Sequence, residues 1–251
     1  MTNKTVINWD YSDRAATYEH RADYDINAIN RLLQHVAEPH FARAADIGAG
    51  TGKLTRPLLT AGMAVVAVEP NQNMRAVAAH MPANADALWI GGLAEQLPLR
   101  SNSFDLACFG SSFNVVDAAR SLAEVARILK PNGALALLWN HRDLSDPLQA
   151  AIEAVIRSHI PDYAHGSRRE DPSDTVVTTA QFVAVDSFRS AFEITTQRDH
   201  YLAAWRSHAT LARAARSQFE SIMKSIADIV PQGDFSVPYS TALWVFRKRF
   251  P

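Results

Sequence analysis

The chain has 251 residues, 47% of them hydrophobic and 20% charged, enough to bury a full core, and residues 1–251 read as a single domain. A formal net charge of −1 supplies no global attraction to polyanions and argues against a nucleic-acid partner. Cys108 is the only cysteine, so it excludes an intrachain disulfide and a cysteine-rich zinc site; the nine histidines show no HExxH or HxH pairing, and no metal is expected.

The opening stretch, MTNKTVINWDYSDRAATYEHRADYD, is polar and mixed in charge, without the apolar run of ~7–15 residues that a signal peptide needs. No later run approaches the ~20 apolar residues of a membrane span, so the expectation is a cytoplasmic protein with no membrane partner. Between Asp25 and His40, Ile26, Ile29, Leu32, Leu33 and Val36 recur at helical spacing. Ala42 to Ile47 reads as a short strand ending in a glycine cluster, with a helix from Lys53 to Thr60. Ala64 to Val68 is a β-branched run too short for a helix, which suits a strand buried on both faces. A helix over Asn71 to His80 follows, then apolar strands at Ala87–Ile90, Phe104–Phe109, where Cys108 reads as a core residue, and Ala134–Trp139. A helix from Ala118 to Leu129 precedes the turn Lys130-Pro131-Asn132-Gly133.

From Pro147 the spacing loosens. Leu148 to Ile160 reads as a helix, and Pro161 to Asp174, with Gly166 and the string Arg168-Arg169-Glu170-Asp171, as a mobile loop whose charges face solvent. A strand near Phe188–Thr196, helices across Tyr201–Val230 and a last strand over Tyr239–Arg247 complete the chain. Strands alternating with helices predict an α/β fold with a doubly wound, mostly parallel sheet, helices on both faces and helical additions near the C-terminus.

Asp46-Ile47-Gly48-Ala49-Gly50-Thr51-Gly52 lies between a strand and a helix, where glycines permit a tight turn and close approach of a ligand. A phosphate-binding P-loop needs GxxxxGK[ST], but Leu54 follows Gly52-Lys53 and Ile47 takes the place of the first glycine. A dinucleotide fingerprint counted from Gly48 and Gly50 puts Lys53 where its third glycine belongs. The second strand ends at Val68-Glu69-Pro70, which sets an acid 17 residues beyond Gly52 at the carboxyl edge of the sheet.

The pattern Asp-x-Gly-x-Gly-x-Gly instead resembles the first motif of the class I S-adenosylmethionine (SAM)-dependent methyltransferases, in their type 11, UbiE-like group. Two later segments are similar to the same family: Gly92-Leu93-Ala94-Glu95-Gln96-Leu97-Pro98 with Ser103-Phe104-Asp105, and Glu124-Val125-Ala126-Arg127-Ile128-Leu129-Lys130-Pro131-Asn132-Gly133. The motifs run in order over roughly residues 40 to 145. One branch, with trans-aconitate methyltransferase-like proteins, carries Q-A-x-H-W-x-D where this chain has Asn114 and Val115 for the histidine and tryptophan.

The resemblance implies a Rossmann-like seven-stranded sheet, SAM as cofactor and S-adenosylhomocysteine (SAH) as product. It divides the chain into an N-terminal lid (1–40), a cofactor core (41–145) and acceptor-pocket elements with the last strands (146–251). Asp46 would pair with the cofactor's ammonium group, through water or the loop backbone. Gly48, Ala49, Gly50, Thr51 and Gly52 would cradle its amino-acid end, and Glu69, beside Pro70, would accept the ribose hydroxyls. Met74 packs on the adenine or in the core. Leu93 stands where many members place an aspartate, leaving the adenine contact to Ala94 and Glu95; Ser111 and Phe113 follow the fourth strand. Trp9, Tyr11, Ser12, Ala15, Ala16, Tyr18, Arg21 and Tyr24 resemble the family's N-terminal segment, in which Tyr18 and Arg21 would meet the cofactor's carboxylate; a plain packing helix is the other reading.

Methyl transfer from a sulfonium is an in-line displacement, so alignment in a dry site supplies much of the rate. His141 is the candidate base for a phenol or ammonium acceptor, and Arg142 or Arg21 would orient a carboxylate. Tyr201, Trp205 and His208 share a helical face, either an aromatic acceptor platform or a core stripe; His165, Arg168 and Arg169 belong to the solvated run or to a substrate lid. The expected partner is a small-molecule methyl acceptor, bound by a monomer or homodimer, with transfer to an O or N atom. An RNA or protein methyltransferase and a SAM-binding protein without methyl transfer are the alternatives.

Overall fold

Alternation along the strands divides the side chains between two layers. The computed structural model describes residues 15–249, apart from the side chain of Ala16; Trp9, Tyr11 and Ser12 of the expected lid lie outside them. Strands β1 (Arg43–Ile47), β2 (Ala64–Val68), β3 (Leu88–Ile90), β4 (Phe104–Gly110), β5 (Leu129–Arg142), β6 (Phe182–Gln197) and β7 (Asp234–Lys248) form one seven-stranded sheet of order β3-β2-β1-β4-β5-β7-β6. The first five are parallel, and β7 runs antiparallel to both β5 and β6. This is the mostly parallel sheet that the strand–helix alternation predicts, and the seven-stranded, Rossmann-like one that the resemblance implies.

In β4, Ala107 and Phe109 join a buried layer with Ile47, Val68, Leu135, Leu137 and Trp244, covered by Leu122 and Val125 of helix α5 (Ala118–Ile128). Leu106 and Cys108 face the opposite layer, beneath Ile29 and Leu32 of α2 (Ile26–Leu33) and Leu58 of α3 (Thr55–Thr60). Both faces of the sheet are therefore buried, which is why β2 is apolar throughout rather than alternating. Cys108 is buried in that second layer, and burial pushes its thiol pKa well up.

Local signals explain most boundaries. Asn71 caps α4 (Gln72–Ala79) by accepting the Met74 N–H at 3.0 Å, Asp117 caps α5 through Arg120, and Asp146 caps α6 (Pro147–His159), where Pro147 opens the first turn. The helix expected up to His40 stops at Leu33. Pro39 disfavours helical backbone in the residue before it, and Glu38 takes a left-handed φ of 43°. The expected turn at residues 130–133 lies within the bounds of β5, where Asn132 has φ 62° and the pairing with β4 shifts register.

β6 and β7 are longer than their apolar patterns suggest because they pair with each other from Phe182↔Lys248 to Gln197↔Asp234. The β5 partnership ends at Arg142↔Tyr239, so the pair projects past the carboxyl edge of the sheet. Helices α8 (Arg198–Arg206), α9 (Ala209–Ala215) and α10 (Phe219–Ile229) connect β6 to β7 there. With α6 they bury a third apolar cluster that includes Ile152, Tyr201, Trp205, Leu211, Met223 and Tyr239. Two short helices, α1 (Ala15–Tyr18) and α7 (Ser173–Val177), are the other α-helices among the described residues, and α1 packs against α8. Among the described residues no helix is long and apolar enough to cross a membrane.

Candidate cofactor and acceptor site

The turn after β1 is held from three sides. Gly48, Gly50 and Gly52 have φ of 68°, 59° and 93°, the left-handed region that favours glycine. A Cβ at Gly48 would lie 2.6 Å from the Ser112 Cβ, and one at Gly52 only 2.5 Å from the Asn84 side chain, whereas one at Gly50 would meet nothing nearer than Tyr18 at 3.8 Å. The first and third glycines are thus demanded by protein packing, and the middle one has room beside Tyr18, a residue of the cavity wall. Ser112 donates to the Ile47 carbonyl at 2.7 Å, and Asn84 donates to the Thr51 carbonyl at 3.0 Å.

Glu69 ties this turn to the end of β2. One carboxylate oxygen accepts the Gly50 N–H at 2.9 Å and the other the Asn71 N–H at 2.8 Å. Burial raises its pKa, and those two backbone donors work against the rise. Asp46 is fully buried, and its Oδ2 accepts the Thr55 hydroxyl at 2.7 Å. Its Oδ1 has no partner among the described residues, and burial pushes its pKa up to about 7.

The residues named from sequence fall into a cavity set, the turn beside it and several that meet neither. Tyr18, Arg21, Asp46, Ala49, Ser111, His141 and Arg142 line one cavity at the carboxyl edge of the sheet. Gly48, Gly50, Thr51, Gly52 and Glu69 form the turn beside it. Thr51, Met74, Ala94 and Phe113 are buried, Phe113 edge-on to Phe109, while Leu93 and Pro70 are exposed and Glu95 accepts the Asp117 N–H at 2.8 Å.

Residues 15–25 cross this edge as a strap. Arg21 donates to the hydroxyl and carbonyl of Ser207 at 2.8 and 2.7 Å and stacks over Tyr18. Asn140 donates to the carbonyls of Ala22 and Asp23, and the Asp25 N–H donates to Thr241. Tyr24, matched from sequence to the N-terminal segment but given no contact there, lines the cavity and shares a 3.1 Å hydrogen bond with Ser111.

The far wall departs from the expected loop. His165, Arg168 and Arg169 line the cavity rather than a solvated run, because the Arg169 guanidinium donates to the Arg142 carbonyl at 3.0 Å and His165 meets Glu153 at 3.2 Å. Arg142 lies 4.2 Å from the Trp205 ring centroid, within reach of Tyr201 and Tyr239. Trp205 and His208 line the cavity too, while Tyr201 is buried against Gln149.

His141 is buried, and its pKa falls to about 3, chiefly from burial and then from Arg169, Arg168, Arg189 and His165. The unfolded chain takes up this proton below about pH 6.5, while the folded chain refuses it until about pH 3. Stability from neutral His141 is therefore complete above pH 6.5 and is lost as pH falls, and buried His208 acts in the same direction. His141→Gln is expected to flatten the decline in melting temperature between pH 6.5 and 4, read by circular dichroism; an unchanged slope would refute a buried neutral imidazole.

Residues 45–137 match the family model described as a methyltransferase domain. An uncharacterized methyltransferase of Mycobacterium tuberculosis is 42% identical over 135 residues, 53% of each chain. A demethylmenaquinone methyltransferase of Renibacterium salmoninarum is 30% identical over 126 residues, 50% of this chain and 52% of that one. The chain spans about half the length of the curated relatives it matches. Among solved structures, one from Anaeromyxobacter dehalogenans assigned to the type II methyltransferases has a TM-score of 0.65 at 18% identity, covering 91% of this chain and 97% of that one. The YcgJ protein of Bacillus subtilis has a TM-score of 0.58 at 18% identity, covering 90% of this chain and 100% of its own. At that identity the likeness is one of fold. The segment that matches the methyltransferase-domain model, residues 45–137, runs from β1 through most of β5 and so contains both the glycine turn and Glu69.

Proposed function

We propose that this chain is a SAM-dependent methyltransferase acting on a small molecule, with the methyl group passing to an oxygen or nitrogen atom by in-line displacement. The observation that carries the reading is the Gly50–Glu69 hydrogen bond, which fixes a glycine turn and a buried carboxylate side by side at the carboxyl edge of β1 and β2. The residues suit the cofactor: the Gly50 Cα leaves room beside Tyr18, Glu69 retains lone pairs for ribose hydroxyls, and Asp46 presents a buried, unpartnered oxygen for an ammonium group. When bound, the cofactor supplies an electrophilic methyl carbon on a sulfonium.

The chain's own residues would hold the two ends. Arg21, fixed by Ser207, and Tyr18, over which it stacks, would face the amino-acid end, and the strap through Tyr24 would help exclude water. His141 is neutral at physiological pH and a weak base, so orientation is assigned more of the work than proton abstraction. A small acceptor fits a cavity walled by α6, the 165–169 turn and α8, and the demethylmenaquinone methyltransferase named above likewise bears a small-molecule substrate in its name.

Titration calorimetry with SAM and SAH tests the reading. The parent is expected to bind both saturably, and Gly50→Val to remain folded yet lose binding by about 100-fold or more, since a β-branched residue at φ 59° is strained and would occupy the space beside Tyr18 that the cofactor needs. No binding by the folded parent would sink the proposal. Binding without SAH formation from pooled metabolites would favour a SAM-binding protein that transfers nothing.

A further inference from the structure

We infer that the acceptor is an organic acid whose carboxylate is held by Arg142, Arg168 and Arg169, a substrate class that rests on the methyltransferase reading of the same cavity. The cavity's charges do not balance. Arg21, Lys53, Arg142, Arg168 and Arg169 line it, against the carboxylates of Asp46 and Glu153. Lys53 is paired with Asp23 at 2.9 Å, and Glu153 is shared between His165 at 3.2 Å and Arg157 at 3.9 Å. Asp46 is bonded to Thr55 beside the glycine turn. Arg142, Arg168 and Arg169 have no carboxylate within salt-bridge distance among the described residues.

Hydrogen bonding gives the same answer independently. The Nε atoms of Arg142, Arg168 and Arg169 are buried without an acceptor among the described residues, while the Arg142 guanidinium also meets the Tyr239 hydroxyl. All three can only donate. Each orphaned N–H forfeits its water bonds without replacement, so such a set in one wall calls for a partner that only accepts. A neutral carbonyl would satisfy some donors and leave the charge; a carboxylate does both, and the flat guanidinium matches it with two parallel bonds. The wall is also rigid. Arg142 is packed against the Trp205 ring, and Arg169 is anchored on the Arg142 carbonyl. Arg21, bound to Ser207 and Tyr18, stays with the cofactor end, and the sulfonium adds a further positive charge that an anionic acceptor would offset.

The test is calorimetry on SAH-loaded protein at constant ionic strength, titrating phthalate and citrate, with phthalamide as the neutral counterpart of phthalate. Saturable binding of at least one anion and none of phthalamide is expected, with affinity reduced about tenfold or more in Arg168→Gln/Arg169→Gln. Failure of both anions to bind, equal binding of phthalamide, or full affinity in the double variant overturns the inference. SAH affinity, measured on the same samples, reports whether the variant is folded; if it is not, the anion–amide contrast in the parent still decides. Phthalate binding by a parent that cannot bind SAH would leave the anion site standing and bring down the methyltransferase reading.

Discussion

Glu69→Ala is expected to weaken SAM binding by about 100-fold, roughly 2.7 kcal/mol, as read by calorimetry. Two losses combine. The first is architectural: the carboxylate accepts the Gly50 and Asn71 N–H groups at 2.9 and 2.8 Å, charge-assisted bonds worth ~1.5–3 kcal/mol each in a site that is mostly out of water. Without them the turn is still packed on Ser112 and Asn84, so the chain should fold with a lowered melting temperature. The second is direct: the proposed acceptor for the ribose hydroxyls is gone. Glu69→Gln separates the two, since it keeps one acceptor oxygen but turns an amide N–H toward a backbone donor, and about a tenfold loss is expected. A Glu69→Ala protein with parental affinity would remove Glu69 from the cofactor site.

Those contacts show why some of the site is legible in sequence and some is not. Asp46, the three glycines and Glu69 sit next to strand ends, so strand–turn–helix spacing alone puts them at one edge of a parallel sheet. Asn84 and Ser112 hold the same turn from distant points in the chain, and nothing local marks either as a partner of Gly52 or Gly48. The string at 168–171 looks solvated because charge pattern reports composition, while the bond from Arg169 to the Arg142 carbonyl is a tertiary fact. The long β6–β7 pair is half visible for a related reason: its outer half is backbone pairing beyond the sheet, where apolar alternation carries less of the signal. Tyr201, Trp205 and His208 share a helical spacing, but only packing separates the core tyrosine from the two that reach the cavity.

Asp46 is expected to couple cofactor binding to proton release. Burial holds its pKa at about 7 in the free protein, far above the ordinary 3.8, so near pH 6 the carboxyl is mostly protonated. An ammonium group beside its unpartnered Oδ1 would favour the charged form and drive the proton off. Calorimetry at pH 6 in phosphate and in an amine buffer of high ionisation enthalpy should therefore give different apparent enthalpies, corresponding to release of close to one proton, and the difference should vanish near pH 8. The same shift has a stability sign. Because the folded pKa is raised, the folded state binds the extra proton between about pH 4 and 7; the stabilisation is complete below the unfolded value and is lost as pH rises through 7, to the order of 4 kcal/mol at about 1.4 kcal/mol per unit. Asp46→Asn should remove that slope, melting higher than the free parent at pH 8 while binding SAM about 100-fold more weakly. Stability and binding would then move in opposite directions at one residue, which a merely structural aspartate does not produce. Buffer-independent enthalpies at pH 6 together with parental affinity in Asp46→Asn would show that Asp46 serves only Thr55 and the fold.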